Sequence, residues 1–135
     1  MNCYCGNNKS YKKCCEVFHL NGGQTETAQQ LMRSRYSAFV LANGDYLMST
    51  HHKSTRPTSE KKAIVTWAKS VEWIKLDVQD ITKGLEKDTE GTVTFSAYFY
   101  DNGSMDVIHE KSAFVKENNH WFYVGYAKDS QLISK

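Results

Sequence analysis

Apolar positions recur along this chain with two different periods, and the change falls near residue 70. From residue 26 to 42, Ala28, Leu31, Met32, Phe39 and Ala42 share one face at three- and four-residue spacing, with Arg35 on the same stripe. This predicts an amphipathic helix. Thr25 or Thr27 is its N-cap, Gln30 sits in the capping-box position after Thr27, and Asn43-Gly44 stops it. Asp45 to Thr50 predicts a short second helix with Tyr46 and Leu47 facing inward. His51 to Arg56 is polar and reads as a loop. A third helix follows Pro57, capped by Thr58 or Ser59, with Ala63, Ile64, Trp67 and Ala68 as its buried stripe.

Beyond residue 70 the period becomes two. Glu72 to Lys83 reads as a strand ending at Gly84. Thr92 to Tyr100 alternates, with Val93, Phe95, Ala97 and Phe99 on one face and Thr94, Ser96, Tyr98 and Tyr100 on the other. Asp101-Asn102-Gly103 predicts a tight hairpin, because Asn and Gly tolerate positive φ. Val107 to Lys116 is the next strand, Glu117-Asn118-Asn119 turns, and His120 to Lys128 returns. Three helices followed by a meander predict an α+β fold, with the helices on one face of a curved antiparallel sheet.

Composition sharpens this in two ways. Eight Tyr, six Phe and three Trp in 135 residues supply enough bulk for a core without disulfides. A formal net charge of +2 makes no case for a dedicated nucleic-acid domain. No run approaches the roughly 18 apolar residues of a membrane span. Cys3 and Cys5 follow the first residue with no apolar stretch behind them, so no leader peptide is expected and a cytoplasmic location is. In that compartment thiols stay reduced, which favours metal ligation over disulfides.

All four cysteines lie within residues 3–15. Cys3-Tyr4-Cys5, eight residues, then Cys14-Cys15 offers two short pairs that can converge if the intervening loop folds back. Gly6 and Asn7-Asn8 suit that turn. Four thiolates satisfy tetrahedral zinc and leave no open position, so the expected site is structural. His19 is the alternative fourth ligand in place of Cys15. Lys9, Lys12 and Lys13 offset the formal negative charge of such a centre. They serve either as counter-charges alone or, with Tyr11 and Tyr4 beside them, as a basic face that docks an acidic protein or an RNA backbone.

This run resembles the SEC-C motif of the SecA translocation ATPase tail: the cysteine spacing, Gly6, Lys9, Tyr11 and Lys12 match, while Tyr4 replaces the usual proline and Asn7-Asn8 the usual Ser-Gly. Leu31 to Phe39, Asp45-Tyr46-Leu47, His51-His52, His109 to Phe114 and Trp121 to Val124 are similar to blocks of the bacterial YchJ family. The resemblance implies a zinc-binding motif over residues 1–20 and a cone-shaped, cystatin-like or nuclear transport factor 2-like (NTF2-like) domain over residues 25–135, joined through Asn21-Gly22-Gly23. It implies no established activity. The SecA likeness points to a protein partner, with nucleic acid or the ribosome as the other macromolecular candidate and no membrane.

Within the body, Arg35 on an apolar stripe must find acceptors, because an unpaired buried guanidinium is costly. Glu110 is the first candidate partner and Asp45 the second, either as a structural ion pair or as an anion-recognising pair. A cavity enzyme or small-ligand carrier would use a pocket built from Arg35, Tyr36, Asp45, Tyr46 and Glu110, with Tyr98 as a further donor; no catalytic residue is assigned. His109 points to the opposite sheet face from its neighbour Glu110. Tyr98, Tyr100 and Tyr123, if exposed on the outer sheet face, would suit a homodimer.

Overall fold

In the computed structural model, which describes residues 2–127, a cysteine-rich turn leads into four helices and then four strands. The helices are α1 (Cys15–Leu20), α2 (Ala28–Val40), α3 (Gly44–Ser49) and α4 (Lys61–Ser70). The strands are β1 (Glu72–Lys83), β2 (Glu90–Asp101), β3 (Ser104–Glu117) and β4 (His120–Tyr126). They form one antiparallel meander in the order β1-β2-β3-β4. Helices then sheet is the α+β architecture expected. Lys128, the predicted end of the last strand, and the rest of the body to residue 135 lie outside the described residues.

The longest helix follows its sequence signals closely. Thr27 Oγ1 accepts from the Gln30 amide at 3.1 Å, and Gln30 Oε1 accepts from the Glu26 amide at 2.8 Å, a reciprocal cap reaching one residue upstream. Asn43 and Gly44 do different work from that predicted. α2 ends through Ala42 at φ 55°, while Asn43 Oδ1 caps α3 by accepting from the Tyr46 amide at 3.1 Å. Gly44 is needed for helix contact, since a Cβ there would sit 2.6 Å from Val65 Cγ2 on α4. Thr58 and Ser59 fall in a 3-10 turn (Thr58–Glu60), so no side chain caps α4, and Ala63 of its expected stripe is exposed.

α1 is an element that the hydrophobic pattern did not predict. Its six residues show no apolar stripe, and only Cys14 separates its first residue, Cys15, from a 3-10 turn at Tyr11–Lys13.

The core lies between α2 and the sheet, where Leu31, Met32 and Tyr36 meet Val93, Phe95, Ala97, Phe114 and Trp121. Full burial of Leu31 and Phe114 contributes about 2–3 kcal/mol each. The start of α2 is seated on the β1–β2 turn: the Ala28 amide donates to Gly84 O at 2.9 Å, and Trp121 Nε1 donates to Glu26 O at 3.1 Å. Among the described residues no helix is long and apolar enough to cross a membrane.

Candidate metal centre and cavity

The four cysteine sulfurs lie within 4.8 Å of one another, and all four residues are buried. The loop closes through Cys3 N–H to Lys9 O at 2.7 Å and Gly6 N–H to Cys3 O at 3.1 Å, with Gly6 at φ 96°. Cys5 Sγ and Cys14 Sγ are 3.7 Å apart. A disulfide holds its sulfurs at about 2.05 Å, whereas the edge of a tetrahedron with metal–sulfur bonds of about 2.3 Å is about 3.8 Å. The donor set therefore fits a thiophilic metal ion. Electrostatics agrees. Crowded without a cation, the thiols resist multiple ionisation. A hydrogen bond from Cys15 holds Cys5 far below the usual thiol range, that same bond pushes Cys15 up, and burial pushes Cys14 up. A bound divalent ion removes the conflict by holding all four as thiolates.

His19 is spent elsewhere. Its Nε2–H donates to Ser34 O at 2.8 Å, which fixes the tautomer, so Nδ1 accepts from Tyr11 Oη at 2.7 Å. Burial lowers its pKa and keeps the ring neutral. Cys15, not His19, completes the cluster.

The knuckle is fastened to α2 rather than tethered loosely. Arg33 Nη1 donates to Cys5 O at 2.6 Å while its Nε donates to Gln29 Oε1 at 3.0 Å. Cys15 Sγ lies 3.6 Å from Arg33 O, and Cys3 Sγ lies 3.7 Å from Ser37 Oγ. On the outer side Lys9, Lys12 and Lys13 are exposed. Tyr11 is half-buried and committed to His19, so Tyr4, with its ring 5.5 Å from that of Tyr11, is the more exposed aromatic of the pair.

A second feature lies inside the body. A cavity of about 140 Å³ is walled by aromatic side chains, Trp67, Trp73 and Phe95 among them, and carries Arg35, Tyr36, Glu110, Ser112 and Tyr123. Arg35 Nη1 donates to Leu47 O at 2.9 Å and to Thr50 Oγ1 at 2.7 Å. Its guanidinium covers the Tyr123 ring at 4.5 Å. Burial lowers its pKa to about 10, which leaves it charged at neutral pH. Glu110 Oε2 accepts from Tyr123 Oη at 2.8 Å and from Ser112 Oγ.

Five placements differ from expectation. Glu110 shares the cavity with Arg35 but does not pair with it directly. Tyr123 stands between them, and a carbonyl and a hydroxyl accept from one guanidinium nitrogen, Nη1, instead. Asp45 is not in the pocket: its side chain is 89% exposed and pairs with Lys61. Tyr46 is buried but faces the knuckle, where its hydroxyl meets Ser34 Oγ at 2.6 Å and its ring packs on His19 at 4.5 Å. Tyr98 lies outside the cavity lining, with Lys75 Nζ over its ring. Tyr123, expected on the outer face, is the residue that sequence reasoning missed. The available signal was parity, because it sits two positions from Trp121 on the same strand face. His109 behaves as predicted, with Nδ1 against Ser96 Oγ at 2.8 Å, away from the Glu110 cluster.

Comparison with known proteins matches this geometry. The family profile described as "YchJ, middle NTF2-like domain" matches residues 27–125. A UPF0225 protein of Vibrio parahaemolyticus is 42% identical over 122 residues, spanning 90% of this chain and 72% of the relative. One from Shewanella sp. (strain MR-4) is 42% identical over 140 residues, spanning 99% and 83%. The solution structure of RPA3114, a SEC-C motif containing protein from Rhodopseudomonas palustris, superposes with a TM-score of 0.84 at 28% identity, covering 98% of this chain and 99% of that one. The crystal structure of a SEC-C motif containing protein from Psychrobacter arcticus gives 0.75 at 29% identity, covering 98% and 84%. With the profile covering most of the body and the cysteine cluster in front of it, the chain belongs to the YchJ-like (UPF0225) family, a SEC-C motif joined to an NTF2-like domain.

Proposed function

We propose that this chain is a zinc-binding docking protein of the cytoplasm, in which a structural Zn(Cys)4 knuckle presents a basic face to an acidic protein surface. The observation that carries it is the two-sidedness of the knuckle. Its inner side is four buried thiols fastened to α2, and its outer side is exposed Lys9, Lys12 and Lys13 beside Tyr4. Zinc is favoured because four thiolates with no open position match its structural sites. A reducing compartment keeps the thiols available. Complementary charge would set the rate and specificity of docking more than its strength.

The test is Lys9→Glu, Lys12→Glu and Lys13→Glu combined, in affinity purification with mass spectrometry of the full chain. Partner recovery is expected to collapse while the zinc content stays at one ion per chain. Unchanged recovery overturns docking through this face. Loss of the recovered partner on ribonuclease treatment transfers the reading to RNA.

The cavity supports a second reading, a small-ligand carrier or cavity enzyme. What favours it is the unfilled space beside two buried charged groups, Arg35 and Glu110.

A further inference from the structure

We infer that the cavity takes a neutral, single-ring aromatic compound that carries both a hydrogen-bond acceptor and a hydrogen-bond donor. This rests on reading the cavity as a ligand site. Size comes first: about 140 Å³ is close to the ~150 Å³ apolar cavity that admits benzene. The walls agree, since Phe39, Trp67, Trp73, Phe95 and Phe114 favour a flat apolar body.

The two polar contacts are set by unused hydrogen-bonding capacity. Arg35 and Glu110 are each only 8% exposed. Arg35 spends Nη1 on Leu47 O and Thr50 Oγ1, and among the described residues nothing accepts from its Nε or Nη2. Glu110 spends Oε2 on Ser112 and Tyr123, and Oε1 accepts from none of them. Yet among the described residues no fully occluded side-chain nitrogen or oxygen lacks a partner, so these spare atoms are reachable, and both residues line the cavity. A ligand acceptor meets the guanidinium edge and a ligand donor meets the carboxylate. Tyr123 stands between the two, its ring under the guanidinium and its hydroxyl on the carboxylate, so the ligand's acceptor and donor are met at separate points of the wall.

Neutrality follows from charge balance. The guanidinium and the carboxylate already cancel within the pocket. An anionic or cationic ligand would bring in a buried charge with no counter-charge, which is strongly penalised.

Four probes of equal size class test this on the full chain: 4-hydroxyacetophenone, 4-hydroxybenzoate, tyramine and ethylbenzene. Binding is read from the indole N–H signals of Trp67 and Trp73 by NMR. The expected order puts 4-hydroxyacetophenone ahead of the other three by roughly tenfold or more, the scale of one uncompensated charge or lost polar contact. Glu110→Gln leaves Arg35 unbalanced and should move the preference to 4-hydroxybenzoate. Equal or tighter binding of 4-hydroxybenzoate or tyramine by the natural chain, or of ethylbenzene, overturns the ligand class and leaves the cavity reading standing. No shift in preference in Glu110→Gln also overturns the class. Binding of none of the four overturns both.

Discussion

His51 shows what partial burial among cations does to one side chain. Its ring packs edge-on against Tyr123 at 5.0 Å, and Nε2 meets Thr55 Oγ1 at 3.1 Å. Burial first, then the charges of Arg35, Arg56 and His52, lowers its pKa from the usual 6.5 to about 4. Between those values the unfolded chain binds the proton and the folded one does not. Stability carried by this group therefore rises with pH across the window and is lost as pH falls from 6.5 toward 4. His19, lowered by burial, acts in the same sense. Urea unfolding at pH 7 and pH 4.5 should show a midpoint drop that is smaller in His51→Gln than in the natural chain; equal drops contradict the assignment. At this scale the sequence was legible where composition spoke. Four cysteines in thirteen residues and a lone Arg on an apolar stripe pointed to the right places. It was misleading where direction mattered. Asp45 and Tyr46 are adjacent on α3, yet the 100° step of a helix sends one to solvent and the other inward. For Tyr123, parity with Trp121 could give the face but not the role, which is fixed by Arg35 and Glu110, residues 88 and 13 positions away.

Among the elements, the seat of α2 on the β1–β2 turn is the contact with least tolerance. A Cβ at Gly91 would lie 2.4 Å from the Cα and the N of Gly84, and one at Gly84 would lie 2.8 Å from Ala28 Cβ. Backbone cannot yield as a flexible side chain does. Gly91→Ala is expected to cost about 2–3 kcal/mol, as overpacking does, read as a lower denaturant midpoint at unchanged slope. A cost under half a kcal/mol would mean that the turn relaxes freely. The four strands, α2 and α4 could be read from period, because period reports which face is buried, and the short α3 was expected after the Asn43-Gly44 break. α1 could not. Its Cys15 is held by the cysteine cluster and its His19 by Ser34 on α2, and neither leaves a periodic trace.

For the whole molecule, the knuckle is a clamp on the central helix, so metal and body are thermodynamically linked. Metal binding energy released into a segment that cannot fold alone becomes folding energy. Stripping the metal with a chelator should lower the melting temperature of the entire domain by at least about 5 °C, since about 1 kcal/mol moves a domain of this size by several degrees. Cys5→Ser should do the same without chelator. Melting of the body unaffected by either treatment would show that the two parts are independent.

The span from Cys3 to Cys15 has a consequence for how the chain is made. Closing thirteen residues around an ion costs little entropy, because loop closure grows only with the logarithm of length. The loop is local in sequence, so it can close before Arg33, Ser34 and Ser37 have packed against it. A bound ion would thus organise a platform for α2 to dock on, so scarcity of the ion would first be felt as slow maturation of the body, well before any loss of finished protein.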